Sequence, residues 1–233
     1  MSRHPGSLSV VIMAFNEKDS LPAQVRETLN FLDAAVAAGQ VVVVDDGSTD
    51  GTGKLADDLA GQDARVTVVH HPRNLGMGAA IRSGYGAATC EWVSQLPGDG
   101  QISPDTLERF LRMTGDHDLV LSTYDRRGDG VLRTLVTSAY QAAALAILGD
   151  RCRFTGTMMF RRSWLDQVRL ASDSFIINVE LPLKLMRLGV TPGWVSIGSP
   201  LPRAHGRSKV LTVGRIAIVL REMVSLKREL GVS

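Results

Sequence analysis

Three short apolar runs, residues 8–13, 41–44 and 66–69, are rich in β-branched side chains, and each gives way to polar or turn residues. Runs of this length and composition are strands buried on both faces of a parallel sheet. The stretches between them, residues 20–38 and 53–60, have helical spacing, and the second follows the cap-rich Asp45-Asp46-Gly47-Ser48-Thr49-Asp50. The order β-α-β-α-β predicts a doubly wound α/β sheet flanked by helices. Further helices are expected at 78–89, after Ser103-Pro104, and at 128–148, 163–168 and 179–188. Further strands are expected at 92–96, 119–122 and 154–160.

Length and balance narrow the classes. A chain of 233 residues, 44% hydrophobic and with a formal charge of +2, buries enough apolar surface to fold as a single domain. It spans 1–233, with one half at 8–122, a second at 123–209 and a helix at 210–233. So small a charge, without a block of like charges, argues against nucleic acid as partner. Cys90 and Cys152 have neither metal-site nor disulfide-scaffold spacing, so a cytoplasmic setting is the default expectation. The N-terminus lacks signal-peptide features, and no apolar run reaches the roughly 20 residues that span a bilayer. Along 213–230, Ile216, Val219, Leu220, Met223, Leu226 and Leu230 recur at helical spacing among Arg215, Arg221, Lys227 and Arg228. Such an amphipathic helix packs on the domain or on a dimer partner, or lies peripherally in lipid headgroups at the inner face of the membrane.

Ligands of open parallel sheets bind beyond the carboxyl ends of the strands. Those ends carry Asn16 and Glu17, then Asp45 and Asp46, then Asp99 and Gln101. Carboxylates there accept from ribose or base donors and hold hard divalent cations, whereas the plainer reading of each is helix capping. Residues 74–80, Asn-Leu-Gly-Met-Gly-Ala-Ala, open a helix and lack the Lys-Ser/Thr pair of a P-loop. Their glycines fit an anion cradle or close helix packing equally well. None of the five histidines has metal-site spacing, and His205 alone lies among basic residues.

The run Val10-Val11-Ile12-Met13-Ala14-Phe15-Asn16-Glu17, then Val43-Val44-Asp45-Asp46-Gly47-Ser48-Thr49-Asp50-Gly51-Thr52, Asn74-x-Gly-x-Gly-Ala-Ala and Gly98-Asp99-Gly100-Gln101-Ile102-Ser103-Pro104 resembles the family 2 glycosyltransferases of the GT-A fold. Asp150 with residues 155–162, then Asn178-Val179-Glu180, and residues 203–209 look like later motifs of the dolichyl- and polyprenyl-phosphate sugar transferases. The resemblance implies a Rossmann-like, mostly parallel sheet and a nucleoside diphosphate sugar as donor. It implies that Ala14, Phe15, Glu17, Asp46, Gly76, Gly98 and Asp99 line the donor site, with Asp46 against the base. Asp99 matches the second acid of the family's metal motif and Gln101 can add a ligand for Mg2+ or Mn2+. Glu180 falls near the acceptor, and Arg203, His205, Arg207, Ser208 and Lys209 match a basic loop over phosphates.

The chain departs from that pattern at Pro97, which stands where the first metal carboxylate is usual, at Met77, often basic, and at Thr123, often arginine. Arg126, Arg127 or Arg133 can supply that charge, with Arg133 the catalytic candidate. The expected activity is inverting sugar transfer to a polyprenyl phosphate. A soluble acceptor and a sugar-nucleotide-binding protein that has lost catalysis are the alternatives.

Overall fold

The computed structural model describes residues 3–125, 131–149, 156–198 and 213–231. Seven strands form one sheet in the order β3-β2-β1-β4-β6-β5-β7. They are β1 (His4–Ala14), β2 (Val36–Asp45), β3 (Val66–His70), β4 (Trp92–Pro97), β5 (Leu119–Tyr124), β6 (Met158–Arg161) and β7 (Gly193–Ile197). Only β6 runs antiparallel to its neighbours. The first three strands and β4 are the parallel unit expected from the apolar runs.

Helices cover both faces: α1 (Leu21–Ala35), α2 (Thr52–Gln62), α3 (Met77–Ala87), α4 (Leu107–Leu111), α5 (Val131–Leu148), α6 (Ile177–Arg187) and α7 (Val213–Leu230). Because side chains alternate along a strand, one strand feeds two cores. Val10 and Ile12 join Val41, Val43, Leu21 and Phe110 on one side, whereas Val11 joins Val42, Val44, Ile81 and Leu181 on the other. A third cluster unites α5, α6 and α7 around Ala144, Leu148, Ile176, Val179, Val219, Met223 and Leu226.

Three expectations need correction. The helix expected at 20–38 stops at Ala35, because Val36 turns extended and enters β2 opposite His4. Instead of a helix at 163–168 there is a 3-10 turn, Arg162–Asp166. Strand β7 was not foreseen: its exposed Trp194 disguises an in-out alternation on an edge strand.

Helix α3 lies against the sheet at Gly84, where an added Cβ would overlap Val11 Cγ1 and approach Val44 Cγ2 to 3.1 Å. Gly84→Ala is therefore expected to destabilise by about 1–3 kcal/mol from overpacking. The gain in helix propensity, about 1 kcal/mol, is smaller. A fall in the urea midpoint with unchanged m-value checks this.

Candidate functional site

The site begins with strand register. Ala14 pairs with Asp45 and Met13 with Pro97, so β1, β2 and β4 end at one level. Beyond the strands the chain keeps hydrogen-bonding to β1: Asp46 N donates to Ala14 O at 2.9 Å and Gly98 N to Met13 O at 2.9 Å. Asp46 and Gly98-Asp99 thus flank the end of β1. At Gly98 a Cβ would stand 2.8 Å from Met13 O, so no side chain separates these backbones. Gly100, at φ 72°, turns the chain so that Gln101 N reaches Asp99 Oδ1 at 3.1 Å.

The turn after β1 is knitted to the one after β2. Asn16 adopts the left-handed φ of 56°, which asparagine tolerates better than most residues. Its Oδ1 accepts from Thr49 N at 2.8 Å, while its own N–H donates to Ser48 Oγ at 2.9 Å. Glu17 N donates to Thr52 Oγ1 at 2.9 Å, and Glu17 Oε2 accepts from Ser20 Oγ at 2.9 Å. Asp45 Oδ1 receives Ser48 N at 3.0 Å and Asp50 Oδ1 receives Thr52 N at 3.0 Å, so these two acids bond the backbone of the turn leading into α2, whose N-cap position is held by Gly51. Phe15 sits half-buried in the same turn.

Asp46 has a different role. It is 4% exposed, and its Oδ1 accepts from His71 Nδ1 at 2.7 Å and Leu75 N at 2.8 Å, while Oδ2 accepts from Gly76 N at 3.0 Å. The carboxylate therefore holds the glycine run that leads into α3. The run itself is explained by close packing rather than by an anion cradle. A Cβ on Gly76 would stand 2.8 Å from Asp173 O, one on Gly78 would overlap Ser172 O, and Gly78 N donates to Asp173 O at 2.9 Å. Arg82 fastens the same segment, donating to Ser172 O at 2.8 Å and Asp173 Oδ1 at 2.6 Å.

Segment 171–174 is also gripped from behind. Glu180, 1% exposed, accepts from Ala171 N and Ser172 N, each at 2.9 Å, and from Lys184 Nζ at 2.6 Å. Burial alone would raise its pKa, but these hydrogen bonds prevail and hold it below the ordinary glutamate value. Lys184 reaches on to Glu229 Oε2 at 2.6 Å. Glu222 of α7 accepts from Asp173 N at 2.9 Å and Ser174 Oγ at 2.5 Å. The sequence reading placed Glu180 beside the acceptor and gave Glu222 no role. In the structure both carboxylates anchor one backbone segment, and the only local signal was a pair of acids on two amphipathic helices.

The side of α7 carrying Val219, Met223 and Leu226 is inward, so the helix packs on the domain, whereas Ile218, Leu220 and Val224 are exposed. The sequence grouped Leu220 with Val219, Met223 and Leu226 on one apolar face, and the structure leaves it exposed. Among the described residues no helix is long and apolar enough to cross a membrane. Asp150, Cys152, Arg126, Arg127, Arg203, His205, Arg207, Ser208 and Lys209 lie outside the described residues, as does the side chain of Arg133, which belongs to α5.

Among the described residues no three His, Cys, Asp or Glu side chains gather as a metal cage. Asp99, 9% exposed, and Gln101 provide one carboxylate and one amide at the strand ends. That donor set fits Mg2+ or Mn2+, which commonly take one or two carboxylates and complete their shell with substrate phosphate and water. A cavity of about 270 Å³ lies elsewhere, lined by His4, Glu91, Trp92 and Arg161. Its guanidinium is already paired with Glu91 at 2.5 Å and Asp118 at 2.9 Å, so it offers no convergent chemistry.

Comparison with known proteins agrees with this architecture. The family described as Glycosyl transferase family 2 matches residues 9–169. An undecaprenyl-phosphate 4-deoxy-4-formamido-L-arabinose transferase of Pseudomonas fluorescens is 29% identical over 163 residues, 68% of this chain and 48% of the relative. An undecaprenyl-phosphate mannosyltransferase of Micrococcus luteus is 35% identical over 121 residues, 48% of this chain and 46% of the relative. The chain spans about half the length of these curated relatives. The crystal structure of glucosyl-3-phosphoglycerate synthase from Mycobacterium tuberculosis, in complex with Mn2+, UDP and phosphoglyceric acid, superposes with a TM-score of 0.71 at 19% identity. The match covers 97% of this chain and 78% of that one. The likeness shows that the GT-A fold is shared.

Proposed function

The chain belongs to glycosyl transferase family 2, and from that premise we propose that it moves a sugar from a nucleoside diphosphate sugar to a polyprenyl phosphate, with inversion at the anomeric carbon. The observation that carries this reading is the level ending of β1, β2 and β4, which sets Ala14, Asp46 and Gly98-Asp99 side by side. Curated relatives named for undecaprenyl phosphate support the acceptor class. The Mn2+ and UDP named with the similar fold support the donor class and a divalent ion.

In this reading the nucleoside lies over the end of β1 against Ala14, Phe15 and Glu17, and Asp46 accepts a hydrogen bond from the base. Asp99, with Gln101, holds the divalent ion. When bound, that ion supplies Lewis-acid stabilisation of the charge growing on the departing diphosphate. Pro97, at the end of β4, offers no carboxylate, so Asp99 is the acidic protein ligand the motif retains. The basic residues 203–209 neutralise phosphate charge with guanidinium and ammonium donors. A phosphate acceptor is already an anionic nucleophile and needs no general base. This suits a site in which Glu180 is spent on backbone amides. The exposed Ile218, Leu220 and Val224 of α7 give the protein a surface for peripheral contact with the membrane that carries such an acceptor.

The test is nucleotide release from UDP-, GDP- and dTDP-sugars, with Mn2+ or Mg2+, in the presence of vesicles with and without polyprenyl phosphate. Turnover with one donor, dependent on the lipid phosphate, is expected. Turnover with a soluble phosphate alone would remove the acceptor assignment, and release from no donor under any condition would remove the activity.

A further inference from the structure

We propose that His71 is a positioning residue for the donor, aiming the Asp46 carboxylate at the base with Ser83 fixing the imidazole. This rests on the donor reading above. An ionised carboxylate has about four acceptor positions. At Asp46, three are filled within the protein: His71 Nδ1 and Leu75 N on Oδ1, and Gly76 N on Oδ2. The remaining position belongs to Oδ2 and is the one left for a donor from the base.

The imidazole is itself held at both ends. His71 Nδ1 lies 2.7 Å from Asp46 Oδ1 and Nε2 lies 2.9 Å from Ser83 Oγ on α3, with the side chain 7% exposed. A carboxylate oxygen can only accept, so the network assigns the proton to Nδ1. In the neutral ring Nε2 then accepts from the Ser83 hydroxyl. Further along the backbone, His71 N donates to Asp45 O at 2.9 Å, which ties the residue to the end of β2. The imidazole therefore stands on a rigid strand end and braces the side of Asp46 that turns away from the vacant acceptor position. Without it, Asp46 keeps the Leu75 amide on Oδ1 and the Gly76 amide on Oδ2 but loses the shortest of its three hydrogen bonds.

Asparagine and glutamine separate this role from simple packing. The amide nitrogen of asparagine stands near the place of Nδ1 and can still donate to Asp46. That of glutamine stands nearer Nε2 and cannot do both jobs. We would measure Kd for UDP, GDP and dTDP by titration calorimetry with Mn2+, using the tightest wild-type ligand as probe, for H71N, H71Q, H71F and D46A, beside the Tm of each.

Losing a hydrogen bond to a charged group is expected to weaken binding roughly tenfold in H71F and H71Q. H71N should stay within about twofold to threefold of wild type. In turnover, donor KM should rise in H71F while kcat stays within about twofold, because the base is remote from the reacting carbon. Equal loss of affinity in H71N and H71F, or wild-type affinity in H71F, would overturn the role of His71. If D46A binds the probe as wild type does, the placement of Asp46 against the base fails instead. Binding of no nucleotide by the wild type would overturn both.

Discussion

Asp99→Ala is expected to lower kcat by roughly 10²- to 10³-fold, the scale seen when a group that stabilises developing charge is removed. With Pro97 at the end of β4, Asp99 is the acid that segment keeps for the divalent ion of the proposed reaction. The variant should remain folded. Among the bonds lost is the one Asp99 Oδ1 accepts from Gln101 N at 3.1 Å, typically about 1 kcal/mol. Turnover with a sugar nucleotide and Mn2+, beside a thermal unfolding curve, checks both parts. A variant that stays within about twofold of wild type at saturating Mn2+ would remove Asp99 from the chemistry.

Glu180→Ala is expected to cost about 3–5 kcal/mol of stability, the penalty for leaving one member of a buried pair behind. Lys184 would keep Glu229 and the Arg169 carbonyl but lose its buried carboxylate, and the amides of Ala171 and Ser172 would lose their acceptors. Glu180→Gln separates anchoring from proton transfer. If Glu180 were a general base, the glutamine variant would lose roughly 10²- to 10⁴-fold in kcat. As an anchor it should lose stability while kcat changes little.

The pH dependence has a definite sign. Burial raises the pKa of Glu180, but its hydrogen bonds outweigh this and leave the folded value below the unfolded one. Its contribution is therefore present above the unfolded glutamate pKa and lost as pH falls through the lower folded value. Burial lowers the pKa of Lys184, yet its bonds to Glu180 and Glu229 leave it raised, so the lysine's share is lost only in strong base. The gap in Tm between wild type and Glu180→Gln should thus narrow as pH is taken from about 7 to about 3. A constant gap would contradict this account of the pair.

Much of the fold was legible because the runs ending at Met13 and Val44 are buried on both faces, and such strands are apolar at nearly every position, while the edge strand β3 keeps its valines at least half-buried. Strand β7 escaped notice because an edge strand buries only alternate residues and turns Trp194 outward. The acidic strand ends were also readable, since parallel strands deliver their carboxyl termini to one edge of the sheet.

Local sequence could not separate the roles of those acids. Asp45, Asp46 and Asp50 share one turn-forming segment, yet Asp45 and Asp50 each accept a backbone amide within it while Asp46 spends its carboxylate on Leu75, Gly76 and His71. Nor could it choose between a cradle and a contact for the glycines at 76 and 78. That choice depended on segment 171–174, about a hundred residues away, arriving where a Cβ would stand.

Sequence alone thus determined the parallel sheet and the edge to which its acidic strand ends are delivered, because burial and strand direction act over a few residues at a time. Which carboxylates stay available at that edge was decided only by tertiary structure. An acid's hydrogen-bond capacity is consumed by whatever backbone the fold brings beside it, and for Glu180 and Asp46 that backbone comes from other elements of the chain.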